Sequence, residues 1–269
     1  MLKNRLIASI FTKNELVVQS FGFKKYLPIG NIETAIEFLV NWDVDEIFLV
    51  DIDATSENRK PNFELVRLAT KNCFIPLTVG GGINDTKDID MLLKAGADKV
   101  SLNNVTFDNP RFITNAAEIF GSQCITVSLD VKKVDNHYFV FNYQLGKATK
   151  ELALDRAFEM QKLGAGEILL NSVDRDGLRT GYDLDLLNLI SQNLEIPVIA
   201  IGGVGKISDL SEGILQGGCH AVAAGNIFHH TEHSTIAAKS KLLSDGIDVR
   251  LASEVKYKNF KLDSMDRPF

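Results

Sequence analysis

The stretch IPLTVGGGINDTKDIDMLLKAGA, residues 75–97, decides the fold because it holds one complete strand, turn and helix. Its apolar start has strand length, three glycines interrupt it, and apolar residues then recur at helical spacing up to Gly96. A second copy, IPVIAIGGVGKISDLSEGILQGG, occupies residues 196–218. The chain therefore repeats a βα unit, which is typical of α/β folds with a parallel sheet.

The repeat extends beyond these two copies. The separation that carries Ile75 onto Ile196 also carries Glu46 onto Glu167 and Asp53 onto Asp174. Apolar runs of strand length, continuous as in parallel strands covered on both faces, occur at residues 5–10, 46–52, 74–79, 98–102, 124–130, 167–172, 196–201 and 220–225. Amphipathic segments lie between them, and several end at glycines that we expect as C-terminal caps: Gly96, Gly121, Gly164 and Gly217.

Eight strands alternating with helices predict a single (β/α)8 TIM barrel built from two half-barrel repeats. We expect this barrel to span residues 1–250. Residues 251–269 show no clear period, and this C-terminal tail is either disordered or docked on the barrel.

Composition restricts the function classes. A net charge of -6 disfavours nucleic acid and anionic membranes as partners and favours a small molecule or a protein. Cys73, Cys124 and Cys219 are far apart, as expected of free thiols in a reducing compartment. No apolar run approaches the length of a membrane span, and the N-terminus lacks a signal-peptide pattern, so we expect a cytoplasmic protein.

Glycine loops follow the third and seventh predicted strands. Gly81 and Gly82 lie in the first loop, Gly202 and Gly203 in the second, and glycines here let backbone N–H groups approach an anion. The turns after the fourth and eighth strands are paired in the same way and contribute Asn103, Gly225 and Asn226. Glycines that only make tight turns are the alternative, and their paired placement favours two phosphate sites.

Carboxylates at strand ends are candidates for acid–base chemistry. Asp51 and Asp53 follow the second strand, Asp130 ends the fifth, and Asp174 and Asp176 follow the sixth. Asp130 is the best candidate, because a carboxylate in a partly dry barrel mouth can have a raised pKa. Asp174, in contrast, is better explained as a turn residue that accepts backbone hydrogen bonds. When the first predicted strand is aligned with the fifth, the position equivalent to Asp130 is Phe11, which cannot transfer a proton.

Four strands begin with charge. Arg5, Glu46, Lys99 and Glu167 would lie at the bottom of the barrel, where two cations and two anions could form a closed ring of ion pairs. From spacing alone, solvated rim charges of little energetic value are the favoured explanation. His229 and His233 have a spacing that can chelate a metal, but no third ligand is evident, so we predict no metal and no cofactor.

These segments together resemble the HisF family, the cyclase subunits of imidazole glycerol phosphate synthase. The similarity covers residues 1–250 and is carried by IPLTVGGGI, AGADKVS, FGSQCI, LGAGEILL, DRDG before GYDL, and IPVIA before GG. The resemblance implies that a HisH-like glutaminase docks on the barrel bottom beside Asp98. It further implies that the four charged residues gate the entry of ammonia, and that the glycine loops with Asn103 bind two phosphates of a ribonucleotide-derived substrate.

Three positions depart from the family. The cyclases carry an acid–base aspartate at the end of the first strand, a lysine in the following loop and a polar residue at the end of the seventh strand. This sequence has Phe11, Gln19 and Ile201 there. Half of the acid–base pair is therefore missing while the charged gate is kept.

This pattern resembles HisF-like proteins of surface-polysaccharide pathways. Those proteins are thought to work with a glutaminase and a separate sugar amidotransferase that forms an acetamidino group. The segment DIDATSENRKPNFELV, residues 51–66, is closer to that branch than to the histidine enzymes. We therefore expect an ammonia-conducting subunit in which Asp130 is a remnant or a polar lining residue. The alternative is a working cyclase, a lyase of histidine biosynthesis.

Overall fold

A computed structural model describes residues 3–229 and 234–252 and contains a closed barrel of eight parallel strands. With all strands numbered in chain order, the barrel strands follow one another around the barrel as β1 (Arg5–Lys13), β4 (Glu46–Asp51), β5 (Leu77–Gly80), β6 (Lys99–Leu102), β7 (Ile125–Val134), β10 (Glu167–Ser172), β11 (Val198–Ile201) and β12 (Ala221–Ala224). Pairing of β12 with β1 closes it. The predicted (β/α)8 barrel is confirmed.

In each half-barrel, the first strand is followed by one two-stranded antiparallel extension. Strands β2 (Leu16–Phe21) and β3 (Lys25–Gly30) continue from β1, and β8 (His137–Asn142) and β9 (Lys147–Leu152) continue from β7. Each first turn has two residues with positive φ, Asn14 and Glu15 in one half and Asp135 and Asn136 in the other. Such two-residue turns match the twist of a hairpin. The extensions therefore repeat the half-barrel symmetry.

Helices cover the outside of the barrel. They are α1 (Ile32–Asn41), α2 (Phe63–Thr70), α3 (Thr86–Lys94), the single turn α4 (Val105–Asp108), α5 (Phe112–Phe120), α6 (Ala153–Leu163), α7 (Leu184–Ser191), α8 (Ser208–Leu215) and α9 (Ser234–Ser244). Side chains of Asn31, Asn62, Asp85 and Asp183 cap the N-termini of α1, α2, α3 and α7. These caps satisfy backbone N–H groups that a helix start leaves without partners.

The predicted helix ends are mostly found, with one shift. Gly164 adopts positive φ directly after α6, Gly96 does so one residue beyond the C-cap of α3, and Gly121 follows α5. After α8 the positive φ falls on Gly218 rather than on Gly217, because the chain continues one residue further before it turns. None of the helices in residues 3–229 and 234–252 could span a membrane.

Two separate apolar clusters organise the packing. The large one lies between strands and helices, and the small one fills the barrel interior with Ile7, Phe48, Leu169, Ile199, Ile201, Ala221 and Ala223. Successive residues of each strand point alternately into the barrel and toward the helices. Charged and polar residues at the inward positions therefore form layers below and above the small apolar cluster. The predicted tail lies outside the described residues from residue 253 onward.

Candidate functional site

The floor of the barrel is a closed ring of four charged side chains. Arg5 donates to Glu46 at 2.8 Å and to Glu167 at 2.6 Å. Lys99 lies 3.2 Å from Glu46 and 2.9 Å from Glu167. Each cation thus contacts both anions, and the ring that the sequence offered as one of two explanations is present.

Burial separates this ring from ordinary surface ion pairs. The side chains of Glu46 and Glu167 are 3% and 11% exposed, and Thr78 adds a hydrogen bond of 2.8 Å to Glu46. Two charges of each sign in contact leave no net charge at the floor. Buried charges persist in proteins when they are paired in this way.

Asp130 lies at the opposite end of the interior, at the carboxyl end of the barrel strands. It is 8% exposed, and its two carboxylate oxygens accept hydrogen bonds from the amides of Asn103 at 2.9 Å and Asn171 at 3.0 Å. Burial raises the pKa of Asp130, the two amides oppose the rise, nearby Asp176 adds to it, and the pKa is about 6. A carboxyl with this pKa can gain or lose a proton near neutral pH.

Phe11 occupies the position equivalent to Asp130 and divides the mouth. A first cavity of about 150 Å³ contains Asp130, and a second of about 30 Å³ contains Asp176. Phe11, Ser20 and Ile201 line both cavities. Of the three positions that differ from the cyclases, Phe11 and Ile201 thus lie between the two cavities. The third, Gln19, is a buried residue of strand β2.

The predicted glycine sets divide between the same two cavities. Gly81, Gly82 and Asn103 line the first cavity, and Gly202, Gly203, Gly225 and Asn226 line the second. Asn226 also donates a hydrogen bond of 2.8 Å to the backbone oxygen of Ser20. The structure thus brings each predicted set together, one on either side of Phe11.

Backbone packing requires glycine at both loops. Gly81 has φ of 105°, and a β-carbon there would lie 2.2 Å from the backbone oxygen of Asp51. Gly203 has φ of 104°, and its β-carbon would lie 2.3 Å from the backbone oxygen of Gly181. The tight-turn explanation therefore applies to both loops, and phosphate binding at them stays a prediction.

The other mouth carboxylates differ in their partners. Arg59 clamps Asp51 with two hydrogen bonds of 2.5 and 2.8 Å, and Lys13 contacts Asp53 at 2.5 Å. Asp176 has no such cation among the described residues; Ser20 donates to it at 3.0 Å, and burial raises its pKa. Asp174 accepts a backbone hydrogen bond from Lys133 at 2.8 Å, in line with the turn role expected for it.

Two further predicted positions lie elsewhere. Asp98 is exposed at the barrel bottom beside Lys99, and it accepts a hydrogen bond of 2.8 Å from the backbone of Leu77. Of the histidine pair, His233 lies outside the described residues, so the pair has no described geometry. The three cysteines are free, with Cys124 and Cys219 buried and Cys73 partly exposed.

The antiparallel extensions add an aromatic roof that sequence reasoning missed. Phe23 and Tyr143, from opposite extensions, stack edge to face with ring centroids 5.8 Å apart. Together with Tyr26 they line the first cavity. The Asp-Asn pair at residues 135–136, between two apolar alternating runs, is the signal that could have revealed the second hairpin.

Comparison with known proteins identifies the family. Residues 5–234 match the model of a histidine biosynthesis protein family. A Vibrio vulnificus protein provisionally named imidazole glycerol phosphate synthase subunit hisF2 is 57% identical over 269 residues, which cover 100% of this chain and 99% of the relative. HisF subunits from Chlorobium phaeovibrioides and Chlorobium luteolum are 41% and 42% identical over 251 residues, or 93% of this chain and 100% of each relative. With its barrel, its sequence repeat and these relatives, the chain belongs to the HisF family of imidazole glycerol phosphate synthase subunits.

Proposed function

We propose that this chain conducts ammonia as the synthase subunit of a cytoplasmic glutamine amidotransferase complex. A HisH-like glutaminase docks on the bottom face around Asp98, forming a heterodimer, and releases ammonia at the ring of Arg5, Glu46, Lys99 and Glu167. The ammonia emerges at the mouth, where a separate amidotransferase uses it for acetamidino modification of a surface-polysaccharide sugar. The conducting domain is residues 1–250, and residues 251–269 form an appended tail.

One observation carries this proposal: the charged floor is complete while the acid–base pair at the mouth is not. Four ion-pair contacts between 2.6 and 3.2 Å close the floor. At the mouth Phe11 faces the first cavity together with Asp130. Removing one proton-transfer group commonly lowers an enzymatic rate by about 10²- to 10⁴-fold. A barrel that keeps its gate and loses this group is suited to deliver ammonia rather than to close a ring.

The layer above the gate suits a small neutral molecule. Ile7, Leu169 and Ile199 make it apolar, and the alanines Ala221 and Ala223 on strand β12 leave it thin on one side. An apolar layer disfavours ions, because an unpaired charge loses its hydration there. Ammonia would pass this layer as the uncharged molecule, whereas an ammonium ion would not.

The mouth retains features of a phosphate site. We propose that Gly81, Gly82 and Asn103 hold one phosphate of a phosphorylated ligand, and that the second glycine cavity holds another more weakly. The larger first cavity and the smaller second one support this ranking. Asp130, Asp51 and Asp176 then serve as polar lining of the mouth.

A working cyclase is the second candidate, and it has support of its own. The relatives at 41% and 42% identity are named imidazole glycerol phosphate synthase subunit HisF. Asp130 keeps a pKa of about 6, which suits a general acid or base. In that case Asp130 alone would have to carry both proton transfers.

Association with the glutaminase tests the proposal directly. The purified chain and a HisH-like glutaminase should form a one-to-one complex at micromolar concentration, as measured by analytical ultracentrifugation. Asp98→Asn keeps an oxygen for the backbone of Leu77 but removes the charge, and it should weaken the complex about tenfold. Asp174→Asn, on the opposite face, is the matched control and should leave the affinity unchanged. No association of the wild-type pair at these concentrations would overturn the proposal.

A further inference from the structure

The bottom rim of the barrel carries an aromatic pair on the outside of helix α1. Phe38 is 52% exposed, and its ring centroid lies 5.4 Å from that of Trp42, the residue that caps the helix. The N–H of Trp42 donates to the oxygen of Phe38 at 3.0 Å, and its oxygen accepts from the hydroxyl of Thr235 at 2.5 Å. Single exposed apolar residues are common on proteins, but two aromatic rings held side by side form a patch suited to binding.

The chain leaves the described structure next to this aromatic patch. Val249 pairs with Asn4, directly before the first barrel strand, and the backbone N–H of Ala252 donates to the carboxylate of Asp43 at 3.3 Å. Asp43 directly follows Trp42, so residues 253–269 begin beside the patch. An extended chain spans about 3.3 to 3.6 Å per residue, and the two aromatic residues are about 6 Å apart along the helix axis. The first few tail residues can therefore reach both rings.

The start of the tail matches the patch in chemistry. Its side chains are apolar and basic in turn: Val255, Lys256, Tyr257, Lys258 and Phe260. Helix α1 has an exposed carboxylate, Glu37, beside Phe38. An apolar centre with opposite charges at its edge is the usual composition of a protein contact. The tail thus complements the patch in both apolar surface and charge.

The relatives differ in whether they have this tail. The Vibrio vulnificus relative matches all 269 residues of this chain, whereas the HisF subunits from the two Chlorobium species match over 251 residues, which cover 100% of their own length. Because the family match starts at residue 5, the unmatched residues lie mainly in the tail. The tail is therefore an addition to the barrel that the Vibrio relative shares.

We propose that the tail folds back on its own barrel and docks on the aromatic patch, with Tyr257 and Phe260 against Phe38 and Trp42 and a tail lysine beside Glu37. The occupant is the chain's own tail because a short attachment gives it an effective concentration on the order of millimolar at the patch. Docked there, the tail adds side chains to the rim of the bottom face. This docking does not depend on ammonia conduction and goes beyond the proposed function.

Trp42 is the only tryptophan in the sequence, so its fluorescence reports on the patch in the full-length protein. Replacing two tail residues together, Tyr257→Ser with Phe260→Ser, should raise the acrylamide quenching constant of Trp42 about twofold, because the indole becomes exposed to water. Phe158→Ser removes a phenylalanine that is 42% exposed on helix α6, and this matched control should leave the quenching unchanged. If the tail variant is quenched like the wild type, the proposal is wrong.

The reverse measurement changes the patch and follows the tail. Trypsin cleaves after the tail lysines, and docked segments resist proteolysis because cleavage needs an open chain. Phe38→Ser should therefore release tail peptides about fivefold faster than the wild type, as measured by mass spectrometry. Phe38 is exposed, so this variant keeps the barrel intact, and Phe158→Ser again serves as the control. Equal release from Phe38→Ser and the wild type would overturn the docking site.

A second copy of the chain is the alternative occupant, and protein concentration distinguishes the two. A tail docked on its own barrel should protect Trp42 equally at about 1 and about 100 μM, because intramolecular contacts do not follow mass action. Protection that appears only at the higher concentration, together with a dimer in analytical ultracentrifugation, would overturn the assignment to the tail. A chain that shows these tail effects but does not bind the glutaminase would leave the docking site standing and contradict the proposed function alone.

Discussion

The floor of this barrel buries two carboxylates that are paired with cations, and the mouth buries two, Asp130 and Asp176, that contact no cation of the described residues. Glu46 and Glu167 at the floor share two cations, and the ring carries no net charge. Asp130 and Asp176 at the mouth have no cation among the described residues, and burial raises the pKa of both. Paired charges hold a fixed arrangement, whereas unpaired ones respond to protons and to ligands.

The paired charges at the floor and the unpaired carboxylates at the mouth therefore have different roles in the same barrel. A neutral ring with four contacts can open without exposing a lone charge, since each member keeps one partner when another contact breaks. Asp130 and Asp176 contact no cation of the described residues, and Phe11 and Ile201 place apolar surface in their cavities. We therefore expect substitutions at the floor to act mainly on stability and conduction. Substitutions at the mouth should act on proton uptake and binding.

The largest expected effect concerns catalysis at the mouth. With Phe11 in place of an acid–base group, turnover of the cyclase substrate with saturating ammonia should be about 10²- to 10⁴-fold below an ordinary enzyme rate. Free ammonia removes any dependence on a glutaminase, so a low rate reports the barrel alone. Phe11→Asp should recover little, because Gln19 and Ile201 also differ and a carboxylate among apolar neighbours is destabilised. A wild-type rate of about 1 s⁻¹ would instead establish the cyclase.

The next effect tests the floor. Glu167→Ala leaves Arg5 and Lys99 with one shared partner, Glu46, so a partly buried positive charge loses its compensation. We expect a loss of about 3 kcal/mol in the free energy of unfolding, measured by urea denaturation. Lys94→Ala removes an exposed ion pair with Asp90 on helix α3 and should cost less than about 0.5 kcal/mol. Equal losses in both variants would show that the ring is no more than rim charge.

The sequence could predict the floor and much of the mouth, but not how they differ. The continuous apolar strands and the repeat were enough to predict the barrel. The charges at the strand starts were enough to name the four members of the ring. Their contact across the barrel needed the closed structure, because Lys99 and Glu167 lie on strands that are not neighbours. The division of the mouth by Phe11 depends on where one ring points, which no spacing reveals. The roof was missed because Phe23 and Tyr143 come from turns far apart in the chain.

A third prediction uses pH to separate the two ends. The pKa of Asp130 is about 6 in the folded chain against an ordinary 3.8. The ionised carboxylate therefore destabilises the fold above pH 6, and this destabilisation vanishes as the pH falls below about 4. In sodium buffers Asp130→Asn should exceed the wild type in unfolding free energy by about 3 kcal/mol at pH 7.5 and by about 0.5 kcal/mol at pH 4. Asp176 and the Asp51–Arg59 pair near Asp130 stay unchanged in both proteins. A gap that is constant with pH would show that Asp130 is not the titrating group.

The smallest effect concerns the wall between the two cavities. The Phe11 ring lies 3.6 Å from where a β-carbon at Gly225 would stand, so it covers one side of the second cavity, whose volume is about 30 Å³. Removing the ring in Phe11→Ala should make room for an anion against Gly202 and Gly203. We expect inorganic phosphate to bind there about fivefold more tightly, a gain of about 1 kcal/mol, seen by calorimetry as a second binding event. Phe48→Ala, which enlarges the first cavity, is the matched control and should leave the second event weak. Unchanged phosphate binding in Phe11→Ala would mean that the second glycine loop only makes a turn. Binding of a second phosphate would mean that the Phe11 ring limits the length of the ligand that the mouth can hold.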